Sequence, residues 1–392
     1  MDELLTRGVA NIIPGKKQLE EILSSGKKLN IYLGIDPTAT KIHLGHAVAL
    51  RKLQAFAEAG HHVTFLIGDF TAFIGDTSDK NSERPILGKQ EIELNFQTYK
   101  QQAEKILDFS KIEIKYNSEW LANLSFSQII QFCQSFSVGD FVGRELIKRR
   151  LDENKRVGLH EVLYPVLQGI DSLELKTDLQ IGGTDQTFNM QAGRTLQKHT
   201  RNKDSFILST DFLMGTDGRK MSKSWGNAIW LDDEPDDMYR KIMAITDEVI
   251  LQYYILATNV SLPEIAKIEK QLAATDNPMD IKKQLANIIV TELHNKTAAE
   301  QAAAQFKRIV QEKELPTEVP TITWEREGSL VDFLLDTELA QSKSHAKQLI
   351  KQGGITIDGQ QIEESPNEPF IPVDNQIIGV GKKKFARIST KR

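Results

Sequence analysis

Residues 34–46 read Gly-Ile-Asp-Pro-Thr-Ala-Thr-Lys-Ile-His-Leu-Gly-His, a stretch in which a strand passes through a tight loop into a helix. The apolar run Asn30 to Ile35 is typical of a buried strand, and the Pro, Thr and Gly residues after it favour a turn. A helix is expected to begin near His43. Because a helix N-terminus offers free N–H groups and the positive end of its dipole, this turn is a natural phosphate site.

Short strands alternate with helical patterns up to about residue 225. Further strands are predicted at His62 to Ile67, Lys111 to Tyr116 and Asp178 to Ile181. Strand, helix and strand at this spacing predict crossover units and a parallel sheet with helices on both faces. We therefore expect an α/β fold, with a Rossmann-like parallel-sheet catalytic domain over residues 1–230. Its ligands are expected at the carboxyl ends of the strands.

The rest of the chain is predicted to form a linker and two further domains. Strand signals vanish after about Glu234, and Ala, Leu, Ile, Lys and Glu dominate, which predicts an all-α domain over residues 231–313. Residues 314–328 contain two prolines and no helical stripe, so they are predicted to be a linker. Residues 329–392 combine two short helices with alternating strands, the pattern of a small α+β domain.

The composition excludes several classes of protein. Hydrophobic residues make up 40% and charged residues 26% of the 392, a globular balance with no run long enough to cross a membrane. The single cysteine, Cys133, excludes an internal disulfide and a multi-cysteine zinc site, and its apolar neighbours predict a buried thiol. The acidic start, Met1 to Leu5, lacks the features of a targeting segment, so we expect a cytoplasmic protein.

The two histidines of the opening stretch are three residues apart, so His43 and His46 share one face of the predicted helix. Gly45 between them leaves room for a flat base to approach the backbone. Two other interpretations stay open at this point. One is a metal site, although no third ligand with metal spacing is near, and the other is a pair of ordinary surface histidines.

The second motif is the basic loop Gly215 to Ser224, with the sequence GTDGRKMSKS. Lys220 and Lys223 can both reach a polyphosphate, and the hydroxyls of Ser222 and Ser224 can donate as well. Alone, such a loop is more often a solvated turn. Together with the histidine motif after a first strand, it predicts a clamp that holds one triphosphate from opposite sides.

The segments His43-Leu44-Gly45-His46 and Lys220-Met221-Ser222-Lys223-Ser224 resemble the two signatures of class I aminoacyl-tRNA synthetases. Within that class the chain is similar to the tyrosyl-tRNA synthetases, and the resemblance covers nearly all of it. The residues that carry the narrower resemblance are Tyr32 before Gly-x-Asp-Pro-Thr, Ile74-Gly75-Asp76 followed by Lys80 and Arg84, Tyr164 to Asp171 in Tyr-Pro-x-Leu-Gln-Gly-x-Asp, and Gly182-Gly183-Thr184-Asp185-Gln186.

This resemblance implies a role for each matching residue. Tyrosine contacts are implied for Tyr32 and Asp171 at the phenolic hydroxyl, Asp76, Tyr164 and Gln168 around the ammonium group, Gln186 at the carboxylate, and Asp36 near the amino acid. Nucleotide contacts are implied for Gly34, Gly45, Gly182, Gly183, Lys223 and Asp185, the last at the ribose. Catalytic contacts to phosphate are implied for Thr38, His43, His46, Lys80, Arg84, Lys220, Lys223 and Ser224.

Two of these residues also have plain structural interpretations. Asp171 shares its predicted helix with the surface charges Glu174 and Lys176, although its three-residue spacing from Gln168 favours a site. Tyr32 lies in mid-strand, where an aromatic side chain is usually part of the core. The sequence departs from the resembled pattern at Leu33, Thr77 and Thr187-Phe188, none of which defines the choice of tyrosine.

The last domain resembles an S4 RNA-binding domain, from Val331 to Gly354. Lys343, Lys347 and Lys351 recur at four-residue steps and predict a basic helical face that binds tRNA. Residues 342–392 contain nine Lys and Arg against five Asp and Glu, whereas the whole chain has a net charge of −5. This asymmetry indicates a phosphate backbone as partner, although a solvated helix face would explain any single lysine.

The expected reaction has two steps. The carboxylate of tyrosine attacks the α-phosphate of ATP, giving tyrosyl-adenylate and pyrophosphate, and a terminal ribose hydroxyl of tRNA(Tyr) then attacks the acyl carbon. Positioning and electrostatic stabilisation are expected to carry the catalysis, without a protein nucleophile. Mg²⁺ is expected with ATP, with no metal bound by the protein itself. The resemblance also implies a homodimer without membrane contact.

Two rival functions stay open at this point. A tryptophanyl-type relative would share both signatures, but its pocket need not contain the polar pair of Tyr32 and Asp171. An RNA-binding factor that has lost catalysis would keep the C-terminal domain, although the intact histidines and lysines of the two motifs disfavour it.

Overall fold

The computed structural model describes residues 2–38, 40–76, 88–275, 277–308, 319–324, 328–362, 369–381 and 384–390. Its strands are β1 (Val9–Ile13), β2 (Asn30–Ile35), β3 (His62–Ile67), β4 (Ile112–Tyr116), β5 (Leu179–Gly183), β6 (Phe206–Thr210), β7 (Thr321–Thr323), β8 (Ile355–Ile357), β9 (Gln360–Gln361), β10 (Ile377–Val380) and β11 (Lys384–Ser389).

The first ten helices are α1 (Asp2–Thr6), α2 (Lys16–Ser24), α3 (Leu44–Glu58), α4 (Lys89–Ala103), α5 (Ser118–Leu121), α6 (Phe126–Cys133), α7 (Val138–Val142), α8 (Glu145–Asp152), α9 (Leu159–Glu174) and α10 (Thr187–Arg201). They are followed by α11 (Pro235–Met243), α12 (Ile250–Ala257), α13 (Leu262–Ala273), α14 (Met279–Leu293), α15 (Lys296–Phe306), α16 (Leu330–Asp336) and α17 (Lys343–Lys351). None of the helices described is long and apolar enough to cross a membrane.

Within the described residues, six strands form one sheet in the order β1-β6-β5-β2-β3-β4. Neighbours from β6 to β4 run parallel, and the edge strand β1 is antiparallel to β6. The chain runs outward from β2 to β3 and β4 and then returns to β5 on the other side of β2. This reversal creates a crevice at the carboxyl ends of β2 and β5, where ligands bind in such sheets. The prediction of a Rossmann-like parallel sheet is confirmed.

An apolar stripe holds helix α3 on this sheet. Leu50, Leu53 and Phe56 of α3 are fully buried, as their helical spacing requires. The predicted bounds of β2 and β3 agree with the structure, and β4 begins one residue later than predicted, at Ile112. The edge strand β1 was not predicted, since most of its residues are not buried and no apolar run marks it.

Residues from Met1 to Glu300 form one compact unit, so the predicted boundary at residue 230 lies inside a packed body. Arg7, near the N-terminus, explains part of this continuity. Its guanidinium donates to the carbonyl oxygens of Ile255 at 2.8 Å and Thr258 at 2.6 Å, at the C-terminal end of α12. One partly buried cation therefore fixes the first residues of the chain to the helical region.

Residues from Gln301 to Arg392 form the second compact unit. Among its described residues, five strands form a sheet in the order β7-β11-β10-β8-β9, in which β7 is parallel to β11 and the other pairs are antiparallel. The linker prediction is wrong for Thr321–Thr323, which pair with residues 387–389. A strand of three residues is too short to show alternation, and Trp324 beside it is buried in the core of this unit.

Candidate active site

A cavity of about 480 Å³ opens at the carboxyl ends of β2, β3 and β5. Its lining brings together predicted residues that are far apart in the sequence: Tyr32, Gly34, Asp36, Thr38, His43, Gly45, His46, Asp76, Tyr164, Gln168, Asp171, Gly182, Gly183, Asp185, Gln186, Lys220, Lys223 and Ser224. The predicted Lys80 and Arg84 lie outside the described residues, as does Thr77.

The two histidines form a stacked pair at the start of α3. Their ring centroids are 3.7 Å apart and their planes differ by 14°. The Nδ1 atom of His43 accepts the backbone N–H of His46 at 3.3 Å, and Nδ1 of His46 accepts that of His43 at 3.4 Å. Because each Nδ1 accepts, both rings carry their hydrogen on Nε2, which makes each Nε2–H a hydrogen-bond donor. A Cβ at Gly45 would lie 3.0 Å from the His43 ring, so glycine also permits the stack.

The surroundings of His43 favour its neutral form. Burial first, and then the neighbouring His46 and Lys223, lower the pKa of His43 to about 2. A neutral imidazole can donate one N–H to a phosphate oxygen without the cost of burying a charge.

The basic loop is anchored by a single buried amide. The Nδ2 of Asn227 donates to Asp217 Oδ1 at 2.8 Å and to the Lys220 carbonyl at 3.2 Å, and its Oδ1 accepts from Ser222 N at 2.9 Å. A Cβ at Gly215 would lie 2.5 Å from the Asn227 side chain, so this glycine makes room for the anchor. The loop backbone is thus fixed near Lys220 and Ser222, while Lys223 and Ser224 are exposed.

Backbone hydrogen bonds join the region of the basic loop to the region of the histidine motif. Leu44 N donates to the Ile229 carbonyl at 2.9 Å, and Leu231 N donates to the Ile42 carbonyl at 2.9 Å. The segment that follows the basic loop is therefore paired with the residues that begin α3. In addition, the ammonium group of Lys220 lies 3.6 Å from the centroid of the Phe212 ring. A cation–π contact of this kind holds a charge in place without neutralising it.

The opposite end of the cavity is buried and polar. Asp171 is 3% exposed, and its two carboxylate oxygens accept from Trp120 Nε1 at 2.8 Å and Asn117 Nδ2 at 3.1 Å. Burial raises the pKa of the Asp171 carboxyl to about 8, against the opposing effect of these two hydrogen bonds. The Tyr32 hydroxyl donates to Gln180 Oε1 at 3.1 Å.

Two further carboxylates are held between these ends. Asp36 accepts from the Tyr164 hydroxyl at 2.9 Å and from Thr71 Oγ1 at 2.8 Å. A Cβ at Gly68 would lie 2.0 Å from Asp36 Oδ1, so only glycine fits beside this carboxylate. Asp76 is buried and accepts from Gln186 Nε2 at 2.7 Å. The middle of the cavity is therefore acidic, as an ammonium group requires.

Comparison with known proteins identifies the family. The family model for tRNA synthetases class I (W and Y) matches residues 24–311, and the model for the tyrosine–tRNA ligase SYY-like C-terminal domain matches residues 311–388. The chain is 41% identical over 386 residues to tyrosine–tRNA ligase 2 of Vibrio vulnificus strain YJ016, covering 98% of this chain and 97% of that protein. It is 40% identical over 389 residues to the tyrosine–tRNA ligase of Thermotoga maritima, covering 99% and 96%. This chain belongs to the tyrosine–tRNA ligases.

A solved structure of a tyrosine–tRNA ligase shares the fold. The tyrosyl-tRNA synthetase of Archaeoglobus fulgidus, complexed with L-tyrosine, matches with a TM-score of 0.61 at 23% identity, covering 77% of this chain and 99% of that one. Tyrosine–tRNA ligases are class I aminoacyl-tRNA synthetases, and their reaction is the activation of tyrosine and the charging of tRNA. The relatives decide against a tryptophanyl-type identity.

The structure also bears on several residues of this tyrosine–tRNA ligase that had more than one interpretation. Asp171 is buried, so its interpretation as a surface charge is wrong. Tyr32 is buried like a core residue and yet lines the cavity. Cys133 is half-buried rather than buried, and burial raises the pKa of its thiol, which disfavours a nucleophilic thiolate. In the described part of the chain, no three His, Cys, Asp or Glu side chains are grouped as metal ligands.

Sequence reasoning missed the residues that orient the predicted ones. These are Gly68, Thr71, Asn117, Trp120, Gln180, Phe212 and Asn227. No local spacing pattern marks them, because each contacts a partner on a different element or across a loop. The run Gln180 to Gly183 could have drawn attention to Gln180, which is a buried amide in a short strand of otherwise apolar residues and glycine.

The predicted tRNA-binding lysines lie on α17. Lys343, Lys347 and Lys351 are all exposed, whereas Ala346 and Ile350 on the same helix are buried. The helix therefore separates an apolar side that joins the core of the second unit from a basic side that faces solvent.

Proposed function

We propose that this cavity activates tyrosine with ATP and then transfers the tyrosyl group to the terminal ribose of tRNA(Tyr), with the division of roles given below. The observation that supports it best is the single cavity with a buried polar end at Tyr32 and Asp171 and a phosphate-binding end at His43 and Lys220. Such a cavity fits a ligand that is tyrosine at one end and a nucleotide at the other.

The buried end selects tyrosine. Tyr32 and Asp171 bind its phenolic hydroxyl, and the acidic middle formed by Asp36 and Asp76 balances its ammonium group. Tyr164 and Gln168 complete the ammonium site, and Gln186 faces the carboxylate. A site built to hydrogen-bond a hydroxyl rejects an analogue that lacks it, because its own polar groups are then left unpaired.

The other end binds ATP and stabilises the transferring phosphate. The Nε2–H groups of His43 and His46 donate to phosphate oxygens from one side, and Lys220, Lys223 and Ser224 approach from the loop. Thr38, Lys80 and Arg84 are proposed to add phosphate contacts. Gly34, Gly45, Gly182 and Gly183 let the nucleotide approach the backbone, and Asp185 bonds the ribose.

Two displacements follow from this arrangement. The tyrosine carboxylate attacks the α-phosphorus of ATP, a P–O bond forms, and pyrophosphate leaves with the electron pair of the broken bond. The tRNA hydroxyl then attacks the acyl carbon and AMP leaves. The protein forms no covalent bond with either substrate, and it contributes orientation and fixed positive charge.

Mg²⁺ is proposed to arrive with ATP. An ion held by phosphate oxygens keeps most of its water and needs few protein ligands. The lysines and neutral histidines at this end complement phosphate charge and leave the ion to the phosphates. Bound in this way, Mg²⁺ would neutralise part of the charge on the leaving pyrophosphate.

The decisive experiment is amino-acid-dependent exchange of pyrophosphate into ATP with each of the twenty amino acids. We expect exchange with tyrosine and at most a small fraction of that rate with phenylalanine or tryptophan. Exchange without an amino acid preference would contradict the assignment of the buried end. Binding of tRNA without any exchange would support an RNA-binding factor instead.

The second unit and the helical region are proposed to hold the tRNA. The helical region 231–313 receives the anticodon end, and the S4-like unit 329–392 contacts the phosphate backbone through Lys343, Lys347 and Lys351. Replacing these three lysines by glutamine should weaken tRNA binding and make its salt dependence shallower, because fewer counterions are released. Tyrosyl-adenylate formation should not change. A matched control replaces the exposed Lys111, Lys155 and Lys198 of the first unit.

The protein is also proposed to form a homodimer, in the cytoplasm. The helices between Phe126 and Leu159 expose several large apolar side chains, among them Phe126 at 77% and Leu159 at 74%. Several large apolar side chains that are exposed within one segment of the chain favour an interface with another chain. Phe126→Asp should lower the mass measured by analytical ultracentrifugation to that of a monomer. The control Ile371→Asp, at a residue 82% exposed in the second unit, should leave it unchanged.

A further inference from the structure

Gln180 lies directly behind the residue that is proposed to bind the tyrosine hydroxyl. It stands on β5 beside Tyr32 of β2 in the register of the sheet, and it is 1% exposed. Its side-chain Oε1 accepts the Tyr32 hydroxyl at 3.1 Å, and its Nε2 donates to the Met190 carbonyl at 2.9 Å. Both ends of the amide are therefore used within the protein.

The chemistry of these partners fixes the direction of both hydrogen bonds. A main-chain carbonyl can only accept, so the amide nitrogen has to face Met190. Turning the amide over would place its oxygen against that carbonyl, where neither oxygen can donate and the buried amide oxygen would have no partner. The amide oxygen consequently faces Tyr32, which has to be the donor. Burial and the nearby Asp171 raise the pKa of Tyr32 well above its ordinary value, so the hydroxyl keeps its hydrogen.

The packing around the amide keeps it in place. A Cβ at Gly193 of α10 would lie 2.7 Å from Gln180 Oε1 and 2.9 Å from Nε2. The same Cβ would lie 2.8 Å from Ser172 Cβ, on α9. Glycine at this position lets the two helices approach so closely that the amide is confined between them. The Gln180 side chain therefore has little freedom to change its hydrogen-bonding direction.

We propose that Gln180 is a positioning residue that holds Tyr32 as a hydrogen-bond acceptor toward the para substituent of the substrate. Since the only hydroxyl hydrogen of Tyr32 is bound to Gln180, its oxygen turns lone pairs toward the cavity. The substrate hydroxyl then donates to Tyr32, and Tyr32 selects substrates whose para substituent carries a hydrogen. This inference rests on the proposed role of Tyr32 at the tyrosine hydroxyl.

The first test replaces Gln180 with methionine, which has a similar shape and no amide. We expect kcat/KM for tyrosine in pyrophosphate exchange to fall about tenfold, the worth of one net hydrogen bond, through a higher KM for tyrosine. The kcat/KM for phenylalanine, which has no hydroxyl for Tyr32 to bind, should not change. Selectivity therefore also falls about tenfold. A merely structural role would lower both values together and would contradict the proposal.

A matched control is available in Gln197, another buried glutamine on α10. It is fully buried, and its Nε2 donates to the Ser172 carbonyl at 2.6 Å. Gln197→Met should therefore lose a comparable buried hydrogen bond without changing the selectivity between tyrosine and phenylalanine. An equal loss of selectivity in this variant would also overturn the proposal.

A second test does not depend on the folding of the Gln180 variant. It compares exchange with 4-aminophenylalanine, whose para group donates hydrogen bonds, and 4-fluorophenylalanine, whose para group cannot. Comparing the unaltered protein with Tyr32→Phe isolates the contribution of Tyr32, because Asp171 is present in both. If Tyr32 accepts, Tyr32→Phe reduces the preference for the amino analogue. An unchanged or increased preference would show that Tyr32 does not act as an acceptor.

The Tyr32→Phe variant also distinguishes a failure of the proposed tyrosine site from a failure of the proposed role of Gln180. If Tyr32→Phe leaves the selectivity for tyrosine over phenylalanine unchanged, the proposed tyrosine site itself is wrong. If Tyr32→Phe lowers that selectivity and Gln180→Met does not, the tyrosine site stands and only the role of Gln180 is wrong.

Discussion

The two ends of the cavity are built in opposite ways. At the buried end, which is proposed to bind tyrosine and is called the tyrosine end below, Tyr32 and Asp171 are each 3% exposed and are hydrogen-bonded to side chains on neighbouring elements. At the loop end, Lys223 and Ser224 are exposed and Trp225 is 51% exposed. A buried polar network discriminates because an unmatched partner leaves it unsatisfied. An exposed cationic loop selects poorly, but it can add charge where the transition state needs it.

The largest expected effect comes from the loop end. In Lys223→Ala, the rate of adenylate formation should fall about 10² to 10³-fold, the cost of removing one donor to a developing charge. The KM for tyrosine should stay within about twofold, because an interaction made mainly in the transition state does not contribute to ground-state binding. Pre-steady-state kinetics with rapid mixing measures both quantities.

Lys198→Ala, at an exposed lysine of α10 that pairs with Asp204, provides a control for the loss of one positive charge. A weakened affinity for tyrosine at an unchanged chemical rate in Lys223→Ala would contradict the contrast between the two ends.

A smaller effect is expected when the anchor of the loop is removed. Asn227→Ala leaves the Lys220 carbonyl and Ser222 N without their side-chain partner and frees Asp217 from it. We expect adenylate formation to slow about tenfold and the KM for ATP to rise, with the KM for tyrosine unchanged. Asn123→Ala, at an exposed amide that bonds the Glu119 carbonyl, is the matched control. An equal change in the KM for tyrosine would show that the two ends are not independent.

The residues that could be predicted from the sequence share one property. His43, His46, Lys220 and Lys223 stand in short segments whose spacing is set by one helix N-terminus or one loop. The strands β2 and β3 were predicted for a similar reason, since their apolar runs are local. Local patterns therefore located these residues of the cavity lining and most of the parallel sheet.

The residues that could not be predicted act over long distances in the sequence. Asn117 and Trp120 bond Asp171 more than fifty positions later, and Gln180 is 148 positions from Tyr32. Their identities follow from which strands and helices become neighbours, and no pattern within a segment records that. The strand Thr321–Thr323 was missed for the same reason, because only its pairing with residues 387–389 makes it a strand.

The last expected effect is on stability rather than on rate, and it concerns the pH dependence at the tyrosine end. Burial raises the pKa of Asp171 to about 8 from an ordinary value of 3.8. Between these values the folded protein holds a proton that the unfolded chain has released, so the free energy of unfolding falls as the pH rises from about 4 to 8.

Asp171→Asn removes this titration. The asparagine amide cannot accept from both Trp120 and Asn117, so the variant will be less stable at every pH. The test is therefore the slope rather than the level. Measured by urea unfolding between pH 5 and 8, the stability of the variant should decrease less steeply than that of the unaltered protein. Asp204→Asn, at an exposed carboxylate, should keep the original slope. Equal slopes for all three proteins would mean that Asp171 is ionised at neutral pH, and that the tyrosine end carries its negative charge before the substrate arrives.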